Sequence, residues 1–172
     1  MVKIENLVEI LTESTNDKAF EASDILAEIG TEEVVNKMIQ LLGHSNDETK
    51  ILAARTLGQI ENNALGLEPL LETIDKHPHI AGELIAELEG FDLSTKYVAI
   101  FKYTLSPSFK VSSIAQELLD FKEFDITARV IKKAKKAWNH YENNVKHDDV
   151  FELKRKEVQE MFDSLQSFVD AQ

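Results

Sequence analysis

Four stretches of this chain repeat one pattern of apolar and small side chains every 28 to 31 residues, and that period constrains the fold more than any other feature of the sequence. Ile29, Ile60, Leu88 and Leu118 stand 31, 28 and 30 residues apart, and the residues ahead of them agree column by column. Three positions earlier come Leu26, Leu57, Ile85 and Ala115. Seven positions earlier come Ala22, Ala53, Ala81 and Val111, followed by Ser23, Ala54, Gly82 and Ser112. A column held to Ser, Ala and Gly reads as a place where helix backbones approach closely, because a longer side chain would hold them apart.

A second helix face repeats behind the first. Val35, Met38, Ile39 and Leu42, then Leu67, Leu70, Leu71 and Ile74, then Tyr97, Ile100, Phe101 and Thr104, then Thr127, Val130, Ile131 and Ala134 all follow the i, i+3, i+4, i+7 spacing of one face. Ile4, Leu7, Val8 and Leu11 fit the same template, as an unpaired helix of the second type. Spacing varies only at segments such as Gly43-His44-Ser45-Asn46, Glu61-Asn62-Asn63 and Ser106-Pro107-Ser108, whose residue types favour turns. The pattern predicts an all-α chain with a single domain over 1–172: a helix at 1–14, two-helix repeats at 16–43, 46–76, 78–106 and 108–142, and a last helix at 146–171.

Each helix of ~13 residues is ~20 Å long with one apolar stripe. Burying a large apolar side chain contributes about 1.5–3 kcal/mol before conformational entropy is subtracted, so such a stack is stable only when several units share a core and its ends are covered. Val158, Met161, Phe162, Leu165 and Val169 form one stripe near the C-terminus, opposite Glu157, Glu160, Asp163 and Asp170, as a capping helix requires. The same stripe is the candidate for a weak dimer contact, the alternative to a monomer, but it is too short for a sustained coiled coil.

The segment Asn46-Asp47-Glu48-Thr49-Lys50-Ile51-Leu52-Ala53-Ala54-Arg55-Thr56-Leu57-Gly58-Gln59-Ile60 has a polar cap, an early basic residue, paired alanines and a Leu-Gly-x-Ile ending. It resembles the first helix of a HEAT-like repeat of the short kind found in the phycobilisome-lyase group. Ile25-Leu26-Ala27-Glu28-Ile29-Gly30 followed by Thr31-Glu32-Glu33-Val34-Val35 looks like the matching helix-turn-helix corner. The resemblance is clear over 16–76, faint over 77–142 and absent from 143 onward. It implies a right-handed α-solenoid of about four HEAT-like repeats, with the second helices lining a concave face. It also implies a scaffold or adaptor that binds a partner protein or peptide there.

Chemistry is sparse. The histidines, His44, His77, His79, His140 and His147, fall at expected turns or helix ends, where a solvated imidazole is the ordinary reading. Lys76-His77-Pro78-His79 offers two imidazoles, but no acidic residue stands beside the pair in sequence and Pro78 fixes them in a turn, so no metal is expected. His147-Asp148-Asp149 reads as a polar helix start. Deoxyhypusine hydroxylase, a HEAT-repeat enzyme, holds its irons through repeated His-Glu dipeptides, whereas these histidines precede Ser45, Pro78, Ile80, Tyr141 and Asp148. No Gly-rich phosphate loop, nucleophile elbow or zincin motif is present. No enzyme activity and no cofactor are expected.

Charge separates the partner classes. With 31 acidic and 19 basic residues the net charge is −12, which opposes adsorption to nucleic acid or anionic lipid. Without cysteine there is no disulfide framework or thiolate metal site, which suits a reducing cytoplasm. The opening Met1-Val2-Lys3-Ile4-Glu5 has no apolar leader core, and no stretch approaches the ~20 apolar residues of a membrane span. Residues 1–92 hold 6 basic and 19 acidic side chains, while residues 93–172 hold 13 and 12. The exposed column of the second helices runs Gln40, Glu72, Lys102, Lys132, and its neighbour ends in Tyr103 and Lys133. Arg129, Lys132, Lys133, Lys135 and Lys136, with Trp138 and Tyr141, form the densest basic and aromatic cluster. The plain reading is a solvated helix face with the two aromatics in the core. The functional reading is a docking arm for an acidic protein segment, in which Glu72, Lys102, Tyr103, Arg129, Lys132, Lys133 and Lys136 bind the partner. Alternatives are nucleic-acid binding, as in the alkylpurine DNA glycosylases built from HEAT-like repeats, and a chromophore-lyase or chaperone role.

Overall fold

The computed structural model describes residues 3–13 and 16–172. Of the helix expected at 1–14, Met1, Val2 and Ser14 lie outside the described residues. All regular structure among the described residues is helical: α1 (Ile4–Glu13), α2 (Asp17–Ile29), α3 (Glu32–Leu41), α4 (Asp47–Gln59), α5 (Leu67–Lys76), α6 (Ala81–Ala86), a 3₁₀ turn (Glu87–Gly90), α7 (Tyr97–Thr104), α8 (Phe109–Phe121), α9 (Ala128–Glu142) and α10 (Asp149–Asp170).

The helix starts are chemically marked. Asn16, Thr31, Asn46, Ser108, Thr127 and Asp148 each accept a backbone N–H of the following turn, meeting donors that a helix start otherwise leaves unpaired. The corner between α2 and α3 closes as the sequence suggests. Gly30 adopts φ 53°, its N–H returns to the Leu26 carbonyl at 3.0 Å, and Thr31 caps α3. Thr127 is a correction to the repeat template. It is the exposed cap of α9, accepting from Val130 N at 3.2 Å, and a hydroxyl used in this way contributes no apolar contact.

The chain divides into two compact units, Met1–Asp92 and Leu93–Gln172. The division falls between the two helices of the third expected repeat. In the first unit α2 packs on α1 and α4, α3 packs on α4, and α4 meets α6 and the 3₁₀ turn. Leu26, Leu57, Leu70, Leu84, Ile85 and Leu88 are fully buried there. Of the small-residue column, Ser23, Ala54 and Gly82 are buried and Ser112 is half-buried. Ser23 meets a neighbouring helix: Thr56 Oγ1 donates to the Leu52 carbonyl at 2.9 Å, so the Ser23 hydroxyl, 2.9 Å away, donates to Thr56 and accepts from Arg55 Nη1 at 3.0 Å. The tightest backbone approach lies elsewhere. A Cβ on Gly58 of α4 would stand 2.7 Å from the Glu87 carbonyl oxygen, and one on Gly90 would stand 1.6 Å from the Gly58 carbonyl oxygen.

In the second unit α7 packs on α8 and α9, and α10 packs on α9. Its core joins Tyr97, Phe101, Ala134, Trp138, Phe151, Val158 and Phe162. Phe101 and Phe162 lie 5.4 Å apart between centroids, and Trp138 stacks on Phe151 at 5.8 Å. The Tyr97 hydroxyl donates to Met161 Sδ at 3.1 Å, and burial pushes this phenol up to about 12. Lys154 of α10 donates to the Thr104 carbonyl at the end of α7, and burial holds its ammonium below the usual lysine range. The expected stripe on α10 therefore faces the interior of this unit. Val158 and Phe162 are buried, Met161, Leu165 and Val169 are half-buried, and Glu157, Glu160, Asp163 and Asp170 are exposed.

Candidate interaction surface

The basic cluster is built on α9. Its sequence, Ala128 to Glu142, is rich in Ala, Lys and Arg, which lose little freedom in a helix. Ile131, Ala134 and Trp138 are buried at helical spacing, and this turns Arg129, Lys132, Lys133, Lys135 and Lys136 outward on the other side. All five cations are exposed, and none forms an ion pair among the described residues. Lys135 Nζ lies 5.8 Å from the centre of the Phe162 ring. Trp138 is committed to the core, as the plain reading of the aromatics had it, while Tyr141 is half-buried and reaches the surface.

Two concavities flank this helix within the second unit. A groove of about 910 Å³ between α7 and α9 has Val98, Leu105, Val130, Ala137, Tyr141 and Val145 along its floor and walls, with Lys102, Lys133, Lys136 and His140 among its polar lining. A second hollow of about 660 Å³ is lined by Arg129, Lys132, Lys133, Lys135, Lys136 and, from α10, Gln166. Lys133 and Lys136 line both. Five of the seven expected contact residues, Lys102, Arg129, Lys132, Lys133 and Lys136, thus fall on one surface of one unit. Tyr103 is half-buried on α7 and lines neither hollow. Glu72 belongs to the first unit, exposed on α5, where it accepts from Lys76 Nζ at 3.1 Å. The apolar floor was not legible in sequence. Val98 and Leu105 lie beside template positions rather than on them, and only the packing of α7 along α9 gives them a common function.

A model of HEAT repeats matches residues 4–89, half of the chain. The chain belongs to the HEAT-repeat family. The match spans α1 to the 3₁₀ turn and stops before the second unit, so the α7–α9 groove lies outside it. Repeats of this family generally mediate protein–protein interaction. Among the curated proteins none matches the chain. No helix among the described residues is long and apolar enough to cross a membrane.

The histidines have separate roles. His44 Nδ1 accepts from Asn46 N at 3.1 Å in the turn before α4. His147 stacks on Phe151 with ring centres 4.0 Å apart and donates to the Glu142 carbonyl at 2.9 Å. His77 and His79, set aside above because no acidic residue stands beside them in sequence, have one beside them in space. Asp47, 30 residues earlier at the first turn of α4, accepts from His79 Nε2 at 2.7 Å.

Proposed function

We propose that this HEAT-repeat protein is a non-catalytic adaptor that binds an acidic, partly apolar segment of another protein in the α7–α9 groove. One observation carries the reading: a groove with an apolar floor is rimmed by Lys102, Lys133 and Lys136, cations without a carboxylate partner. Apolar side chains of a bound segment would displace water from the floor, and its carboxylates would meet the three ammonium groups. A nucleic acid would use the same cations but has no use for Val98, Leu105 and Val145, and the −12 net charge of the chain opposes it at long range. The lyase-type subtype of repeat would add a chromophore as ligand, and absorbance of the protein mixed with a bilin tests that variant directly.

The test is a fluorescence-anisotropy titration with a labelled peptide that alternates Glu with Leu and Phe, a scrambled-charge Lys counterpart, and a single-stranded oligonucleotide. The acidic peptide should bind, the lysine peptide should not, and Lys133→Glu with Lys136→Glu should weaken binding at least tenfold while the melting temperature stays within about 2 °C, since both side chains are surface cations. Tight oligonucleotide binding with a steep salt dependence, or peptide binding indifferent to the charge reversal, refutes the proposal.

A further inference from the structure

Asp47, His77 and His79 bring one carboxylate oxygen and two imidazole nitrogens to within 4.8 Å of one another. The three come from different elements of the first unit. Asp47 opens α4, His77 ends α5, and His79 stands two residues on, across Pro78. The His77 and His79 rings lie 5.9 Å apart at 76°, nearly edge to face. With metal–ligand bonds of ~2.1 Å, a tetrahedral ion places neighbouring ligand atoms ~3.4 Å apart, so small rotations of half-buried His77 and exposed His79 bring the set into range.

The carboxylate is already oriented. The Lys50 ammonium, on a side chain only 6% exposed, donates to Asp47 Oδ1 at 2.8 Å, which leaves Oδ2 for His79 Nε2. An outer partner that fixes a ligand's orientation is a regular part of metal sites. The surrounding unit carries a net charge of −13, which raises the local concentration of cations. Two imidazoles and one carboxylate suit zinc and its neighbours rather than calcium or magnesium, which prefer all-oxygen sites.

We propose that Asp47, His77 and His79 bind a divalent transition-metal ion of the zinc type, tying the start of α4 to the α5–α6 corner. On binding, the Nε2 proton of His79 moves to Nδ1, and the freed Nε2 lone pair and Asp47 Oδ2 both turn to the cation. Three protein ligands leave a coordination position for water. The ion acts as a clamp between α4 and the α5–α6 corner of the first unit, independent of the peptide groove.

The experiment is isothermal titration of zinc chloride into the tag-free full chain, with cobalt chloride as a visible-absorption probe and thermal unfolding with and without zinc. One zinc per chain, a cobalt d–d band and a zinc-dependent rise in melting temperature are expected. His77→Ala and His79→Ala should each lower zinc affinity at least about tenfold. The apo forms should melt as the wild type does, because neither imidazole belongs to the core. His44→Ala, His140→Ala and His147→Ala should leave the affinity unchanged. Absence of zinc binding by the wild type, or undiminished binding by the double variant His77→Ala/His79→Ala, overturns the proposal and leaves Asp47–His79 a plain surface hydrogen bond.

Discussion

Gly58 and Gly90 give the sharpest test of the packing. Replacing a helical glycine with alanine normally stabilises by up to about 1 kcal/mol, because alanine loses less backbone entropy. Gly58 lies in α4, so an open site would give that gain. Its added Cβ would instead stand 2.7 Å from the Glu87 carbonyl oxygen and 3.2 Å from Glu87 Cβ. Overpacking of this kind costs about 1–3 kcal/mol, so Gly58→Ala should be destabilising by up to about 2 kcal/mol after the propensity gain is subtracted. Gly90→Ala is worse. Its Cβ would sit 1.6 Å from the Gly58 carbonyl oxygen and 2.6 Å from the carbonyl carbon, and no side-chain rotation relieves a clash with backbone. The 3₁₀ turn would have to lift from α4, exposing Leu88, which is fully buried. Adding the lost burial of one leucine, about 1.5–3 kcal/mol, to the overpacking cost gives roughly 2.5–6 kcal/mol. That is a large part of the stability of an ordinary domain. Urea unfolding followed by far-ultraviolet circular dichroism measures both variants against wild type. A Gly90→Ala protein within about 0.5 kcal/mol of wild type, or a stabilised Gly58→Ala, would refute the close approach.

Other outcomes follow from buried polar groups. Thr56→Val keeps the shape but removes the acceptor of the Ser23 hydroxyl, so it should cost about 1–3 kcal/mol by urea unfolding, and adding Ser23→Ala should recover part of the loss. A double variant worse than the sum of its parts would contradict a stabilising Ser23–Thr56 hydrogen bond. Tyr97 titrates near 12 in the folded chain against 10 in a free phenol. The unfolded chain therefore releases the proton first, so this contribution is fully present below pH 10 and falls away as pH rises towards 12, a loss of about 3 kcal/mol. Unfolding of wild type and Tyr97→Phe across that window should diverge, and parallel pH profiles would show that the phenol is not desolvated.

The legibility of the chain followed the range of the interactions. Periodicity is local: Leu26, Leu57 and Ile85 recur because each helix needs one buried stripe, and caps such as Asn46, Ser108 and Asp148 act within three residues. Those signals placed the helices, the corner at Gly30 and the buried stripe of α10. They misread Thr127, since an N-cap hydroxyl and a small core residue occupy the same place in a template of spacings. Of the seven surface residues, Glu72, Lys102, Tyr103, Lys132 and Lys133 stand in columns that assume every second helix faces one way, and Arg129 and Lys136 belong to the basic run of α9. Five of them share a surface in the second unit, whereas Glu72 is held by its own helix neighbour Lys76.

The amino-acid sequence by itself determined the helical repeat and the contrast between a strongly acidic first half and a near-neutral second half, because burial periodicity and charge are properties of neighbours along the chain. Tertiary structure alone decided that Gly58 meets Gly90, that Asp47 reaches His79, and that Val98 and Leu105 join Val130 and Val145 beneath three lysines. Those contacts join residues roughly 25 to 50 positions apart in sequence, and which of them meet depends on how whole helices pack.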